Sequence, residues 1–202
     1  MEISRERPLL LGSASPRRRE LLEGIGIPLD VAPADIDERR EPGEGVAEFL
    51  SRIVETKLGS VVERARDRIA SCVLVADTIV VLDGDVLLKP VDTADAKRLL
   101  GLLAGRRHTV YTRYAVATAA APTAANARTV ATEVTLRAAS ESEIERYAAT
   151  GEGLDKAGAY AAQGVGTFLV QRIEGSFTNV VGLPVCEVIE DLKRLGVLGP
   201  FP

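Results

Sequence analysis

The run from Cys72 to Leu82, Cys-Val-Leu-Val-Ala-Asp-Thr-Ile-Val-Val-Leu, constrains this chain more than any other segment. On a two-residue period one face carries Val73, Val75, Ile79 and Val81, and the other carries Leu74, Ala76, Val80 and Leu82. Neither face is polar, so the segment reads as a buried strand. Asp83-Gly84 is a hairpin turn signal that leads into Val86-Leu87-Leu88, which places an antiparallel partner beside it.

Strands and helices alternate along the rest of the chain. Pro8 to Leu11 reads as a short buried strand, followed by Gly12-Ser13-Ala14-Ser15-Pro16, where Ser15 is a natural N-cap and Pro16 a first helical residue. That helix ends near Gly24 or Gly26. Glu44 to Arg68 is amphipathic, with Val46, Phe49, Leu50, Ile53, Val54 and Leu58 at helical spacing. Asp92 or Thr93 caps a helix carrying Leu99, Leu100, Leu102 and Leu103 that stops at Gly105. Strands are expected over Thr109 to Thr118, Thr129 to Arg137 and Gly166 to Ile173, with Ala-rich 115–127 holding a loop or a sheet edge. Ser140 with Glu143 is a capping box opening a helix that runs to Gly151, and a last helix follows Pro184 and stops near Gly196. The alternation predicts a mixed α/β fold, a mostly central β-sheet flanked by helices, in a single domain over residues 1–202.

Composition removes several alternatives. With 46% hydrophobic and 27% charged residues the chain can bury a core without disulfides or metal staples. It has no apolar stretch of about eighteen residues to span a bilayer and no signal-peptide core, so a cytoplasmic protein without a membrane partner is expected. A single His (His108) and two distant Cys (Cys72, Cys186) rule out a His/Cys zinc cluster within the chain, so a hard cation would be held by oxygen. The net charge of −4 disfavours a broad nucleic-acid footprint but permits small anionic ligands. Of 25 basic residues only five are Lys, which makes their positions informative.

Residues that contradict their local context point to function. Arg17-Arg18-Arg19 places cations in the first turn of a helix, where each opposes the helix dipole by about 0.3–1 kcal/mol. A bound phosphate would reverse that sign, and strand, Ser/Gly loop, helix N-terminus and Arg together make an anion site; the alternative is a solvated basic patch. Asp77 interrupts the apolar strand, so it is paired, metal-bound, protonated or opened onto a cleft; a general base or metal ligand competes with a structural Asp capping a bulge. Lys89 precedes Pro90, and Lys156 lies in the Gly-rich Gly151-Glu152-Gly153-Leu154-Asp155-Lys156-Ala157-Gly158. His108 is left unassigned; a lone His beside Arg107 and Thr109 is more often structural than catalytic. No P-loop, no GxGxxG after a strand and no GxSxG elbow is present.

Gly12 to Leu22, Ala76-Asp77-Thr78-Ile79-Val80-Val81, Leu88-Lys89-Pro90, Asp155 to Gly164, and Gly175-Ser176-Phe177 with Asn179 to Pro184 together resemble the Maf family of nucleoside triphosphate pyrophosphatases, in family order over nearly the whole chain. The resemblance implies a Maf/ITPase-like sheet with a cleft. It also implies hydrolysis of a nucleoside triphosphate between its α- and β-phosphates, with Mg²⁺ or Mn²⁺. On that basis Asp77 is the general base, Glu38 and Asp77 hold the metal, and Lys57 and Lys89 join them in the catalytic set. Ser13, Ser15, Arg17, Arg18, Thr78, Lys156 and Gln163 bind substrate, with Arg17, Thr78 and Gln163 tied to substrate choice. The SPRR block and Gln163 resemble the dTTP/UTP branch. The alternatives are 7-methyl-GTP as substrate, or a non-catalytic nucleotide-binding regulator of septum formation; a homodimer is the family-weighted expectation. Two departures stand out: Gly12 where Ala is common, expected to affect backbone freedom, and Ala161 where Gly is usual, which reshapes the base pocket if that position needs a positive φ.

Overall fold

The computed structural model describes residues 2–200, and the backbone alone at 122–124. Seven strands are present: β1 (Leu9–Leu11), β2 (Leu29–Val31), β3 (Cys72–Leu82), β4 (Asp85–Leu87), β5 (Arg107–Thr118), β6 (Ala121–Leu136) and β7 (Val170–Glu174). They form one sheet of order β2-β1-β3-β5-β6-β7, with β4 paired to β3. β1 runs parallel to both β2 and β3, whereas β3–β4 and β6–β7 are antiparallel, so the sheet is mixed as the hairpin signal required. Asp83 and Gly84 both have positive φ, 52° and 91°, the backbone that a tight two-residue hairpin needs to follow strand twist.

Among the described residues the α-helices are α1 (Pro16–Gly24), α2 (Val46–Arg64), α3 (Thr93–Leu103), α4 (Glu141–Ala149), α5 (Phe177–Val181) and α6 (Val185–Arg194). Asp92 caps α3 by accepting from the Asp95 amide, and Ser140 and Glu143 close the expected capping box on α4. The Ala-rich stretch becomes a hairpin, with β5 reaching Thr118 and β6 starting at Ala121. One expected strand is half wrong: residues 164–169 form a 3-10 turn and only Val170 onward is extended. Glu152 takes the amides of Val165 and Gly166, so the first residue of the expected strand has no amide left for a sheet ladder.

The chain divides into two compact units. The first comprises Met1–Asp77, Thr112–Thr129 and Gly182–Pro202, and the second Thr78–Tyr111 and Val130–Val181. In the first, Leu10 of β1 packs with Val54, Leu58 and Val61 of α2 and Val75 of β3. Gly12 belongs to this packing: a Cβ there would lie 2.6 Å from Val75 Cγ1 and 2.8 Å from Val61 Cγ2. Its role is therefore close approach rather than backbone freedom, since its φ is not in the left-handed region. Buried Asp191 of α6 accepts from Tyr114 (2.6 Å), Asn126 and Arg194, which ties that helix to the β5–β6 hairpin within the same unit. In the second unit, Leu99, Leu100 and Leu103 of α3 share a core with Val80, Leu136 and Tyr147.

Candidate functional site

In the first unit the break in the β3 pattern is met by α2. Lys57 falls on the buried face of that helix, one turn from Ile53 and Val54, and its side chain is only 8% exposed. An ammonium in such a place needs anionic partners. Its Nζ lies 2.7 Å from Asp77 Oδ1 and 2.7 Å from Glu38 Oε1. Asp77 is 15% exposed and Glu38 46%, so the cluster runs from protein interior to solvent. Asp77 is thus ion-paired rather than capping a bulge. Three residues scattered over 40 positions of sequence meet at one ammonium.

Arg18 forms a second node in the same unit. It is buried, donating Nε to Gly182 O (2.8 Å) and Nη1 to Ser13 Oγ (2.9 Å) and Ala76 O (2.8 Å). Burial pulls the guanidinium pKa below its ordinary value, and the Asp77 charge pushes it back. The second Arg of the triplet therefore braces the serine loop and the carbonyl immediately before Asp77. Ser13, not Ser15, is the loop's acceptor: its hydroxyl also takes the Ser15 amide at 3.2 Å. Ser15 occupies the N-cap position of α1 but its side chain makes no capping bond, contrary to expectation. Arg17 is half-buried, and Arg19 points outward to Glu23.

The remaining residues lie in the second unit. Thr78 is half-buried on β3, Lys89 is exposed just past β4, and Gln163 is exposed immediately before the 3-10 turn. The Gly158 amide donates to Leu88 O, which brings the Lys89 and Lys156 segments together. Lys156 Nζ engages Asp155 Oδ1 (2.6 Å) and the Glu152 carbonyl, so its charge is partnered locally. Ala161 needs no positive φ; the strained residue of this loop is Ala159, at φ 62°. His108 is buried with Nε2 2.8 Å from the Tyr160 hydroxyl, and burial pushes its pKa down to about 4.

Sequence reasoning missed Glu152. Its carboxylate accepts from Tyr147 Oη (2.9 Å), Val165 N (2.9 Å) and Gly166 N (2.7 Å). The only signal was its place between two glycines, Gly151 and Gly153, which says nothing about where a carboxylate points.

Among the described residues no group of three or more His, Cys, Asp or Glu side chains could hold a metal ion, and no helix is long and apolar enough to cross a membrane. The first unit thus gathers two buried cations, Arg18 braced against protein oxygens and Lys57 bridging a carboxylate pair. The Maf-like protein family matches residues 8–195, and the chain belongs to that family. It is 46% identical over 190 residues to the dTTP/UTP pyrophosphatase of Geobacter sulfurreducens, covering 94% of this chain and 97% of that protein. The protein of the same name from Anaeromyxobacter dehalogenans is 48% identical over 195 residues, 96% of each chain. That from Hahella chejuensis is 44% identical over 191 residues, 95% of this chain and 94% of its own.

Proposed function

We propose that this protein hydrolyses dTTP and UTP between the α- and β-phosphates, giving the nucleoside monophosphate and pyrophosphate. The observation that carries the reading is the Lys57 ammonium at 2.7 Å from both Asp77 and Glu38, beside an arginine-braced serine loop. The names of the relatives at 44–48% identity support the choice of substrate.

Cleaving a phosphoanhydride demands charge neutralisation and a positioned water more than covalent chemistry. Lys57 holds Asp77 through Oδ1, and Oδ2 takes a proton from the attacking water. The water oxygen bonds to a phosphorus of the α–β bridge as the bridging P–O bond breaks, and the bond's electron pair leaves on the departing phosphate oxygen. One water is consumed for each bond cleaved. Arg17 and Lys89 match family phosphate positions, Ser13, Ser15 and Arg18 form and brace the serine loop, and Lys156 is a further substrate-binding residue. Thr78 and Gln163 select the base.

Glu38 and Asp77 are the carboxylates that would hold a hard divalent cation such as Mg²⁺ or Mn²⁺ alongside substrate phosphates, through oxygens other than the two that Lys57 engages. Such a cation would supply charge neutralisation at phosphate oxygens.

The test is a nucleotide panel with Mg²⁺ that reads pyrophosphate. Release from dTTP and UTP is expected. Orthophosphate as first product, preference for 7-methyl-GTP, or calorimetric binding without turnover would each overturn the reading.

A further inference from the structure

We infer that Glu152 is a positioning residue for Gln163, and through it for base selection. The inference rests on the preceding reading, in which Gln163 meets the nucleobase.

Gln163 lies in a loop without regular hydrogen-bonded structure, between a 3-10 turn at Ala157–Ala159 and the one that starts at Gly164. Such a segment presents a side chain in one direction only if its backbone is held on both sides. Two residues before Gln163, the Ala161 amide donates to Tyr147 Oη at 3.0 Å. Two residues after it, the Val165 amide donates to Glu152 Oε1 at 2.9 Å, and the next amide, Gly166, donates to Oε2 at 2.7 Å. The two holds are one device, because Tyr147 Oη in turn donates to Glu152 Oε2 at 2.9 Å. Ala161 amide, Tyr147 hydroxyl and Glu152 carboxylate form a relay that ends on the same group that grips residues 165 and 166.

Sterics and charge agree with this role. Gly164 has φ +68°, and a Cβ there would lie 2.3 Å from Glu152 Oε1, so the carboxylate fills the space a side chain would take. Burial pushes the Glu152 carboxyl up, but the Tyr147 hydroxyl and the two amides outweigh it and hold the pKa below the ordinary value. The carboxylate therefore stays ionised and keeps acceptor capacity for all three donors. The backbone carbonyl of Glu152 also receives Lys156 Nζ, so one residue fixes both ends of the loop's polar face.

Glu152→Gln separates positioning from simple stability. A carboxamide has one acceptor oxygen and a nitrogen that only donates, so it cannot serve three donors. We expect KM for dTTP and UTP to rise about tenfold, the scale of one lost charge-assisted hydrogen bond, with kcat within about twofold. Preference for dTTP over dCTP should fall by a similar factor. Gln163→Ala should show the same loss of preference, and the double variant should be no worse than Gln163→Ala alone. Tyr147→Phe, which breaks the relay but spares the carboxylate, should raise KM in the same direction by less. Unchanged KM and preference in Glu152→Gln, unchanged values in Tyr147→Phe, or additive effects in the double variant overturn the inference. A wild-type protein that releases no pyrophosphate from dTTP or UTP overturns the proposed function and this inference with it; an active wild type with unaffected variants overturns the positioning alone.

Discussion

Two polar clusters organise the two units, and they are built in opposite ways. The Glu38–Lys57–Asp77 cluster draws on three separate stretches of chain and centres on a buried cation. The Tyr147–Glu152–Gly166 cluster is local, within twenty residues, and centres on an anion that accepts three neutral donors. The first holds opposite charges at one point and, in the proposed reaction, supplies the base for water. The second carries no excess positive charge and fixes only the path of a loop. In the proposed function the chemistry falls to the long-range cluster and the shape to the short-range one.

That division can be broken experimentally. Asp77→Asn keeps an acceptor for Lys57 but removes the base, so pyrophosphate release from dTTP should fall by at least about 10² while thermal stability holds. A fall in KM discrimination with kcat intact would instead assign Asp77 a shaping role and erase the contrast. His108 probes the second unit through acid. Its pKa is lowered in the fold from the ordinary 6.5 to about 4, so the unfolded chain binds a proton first. Its contribution is present above about pH 6.5 and is lost as pH falls toward 4, a decline on the order of 2–3 kcal/mol. Denaturant unfolding of wild type and His108→Gln across pH 7 to 4 should show that decline only in the wild type.

Arg18→Lys sharpens the first unit. A single ammonium cannot reproduce the fork that serves Gly182 O, Ser13 Oγ and Ala76 O, so unfolding free energy should drop by about 1–3 kcal/mol. The smallest effect is expected at the N-terminus of α4, the helix that carries Tyr147. Ser140→Ala should cost about 1 kcal/mol in chemical denaturation and leave KM for dTTP unchanged, since the cap lies two turns from the relay.

How much was legible follows the same physics. β3 falls on Cys72–Leu82 as read, because an apolar run on both faces has few other places to go, and Asp83-Gly84 forms the turn its residues dictate. The α4 capping box is a four-residue property and was fully visible. β2 and α5 went unread: Leu29–Val31 is three residues with Asp30 in the middle, and Phe177–Val181 is barely more than one turn. Residues 166–169 read as the start of a strand because Gly-Thr-Phe-Leu runs straight into Val170, and nothing local announces a carboxylate fourteen or more residues upstream. In the site, Asp77, Lys57 and Glu38 were found by residue type and family motif, yet their meeting at a single ammonium was not. Glu152 was overlooked because an acidic residue between glycines looks solvated.

By itself the sequence determined the class of fold, the buried strand that carries Asp77, the turns and caps, and the family, since each depends on local patterning or on the order of short motifs. Tertiary structure decided which groups share a charge and which hold a loop. It turned Arg18 inward to brace a carbonyl, put Lys57 between two carboxylates, and aimed Glu152 at amides fourteen residues away. Side-chain direction is set by packing and by the need of every buried donor for an acceptor, conditions that exist only once distant segments are adjacent.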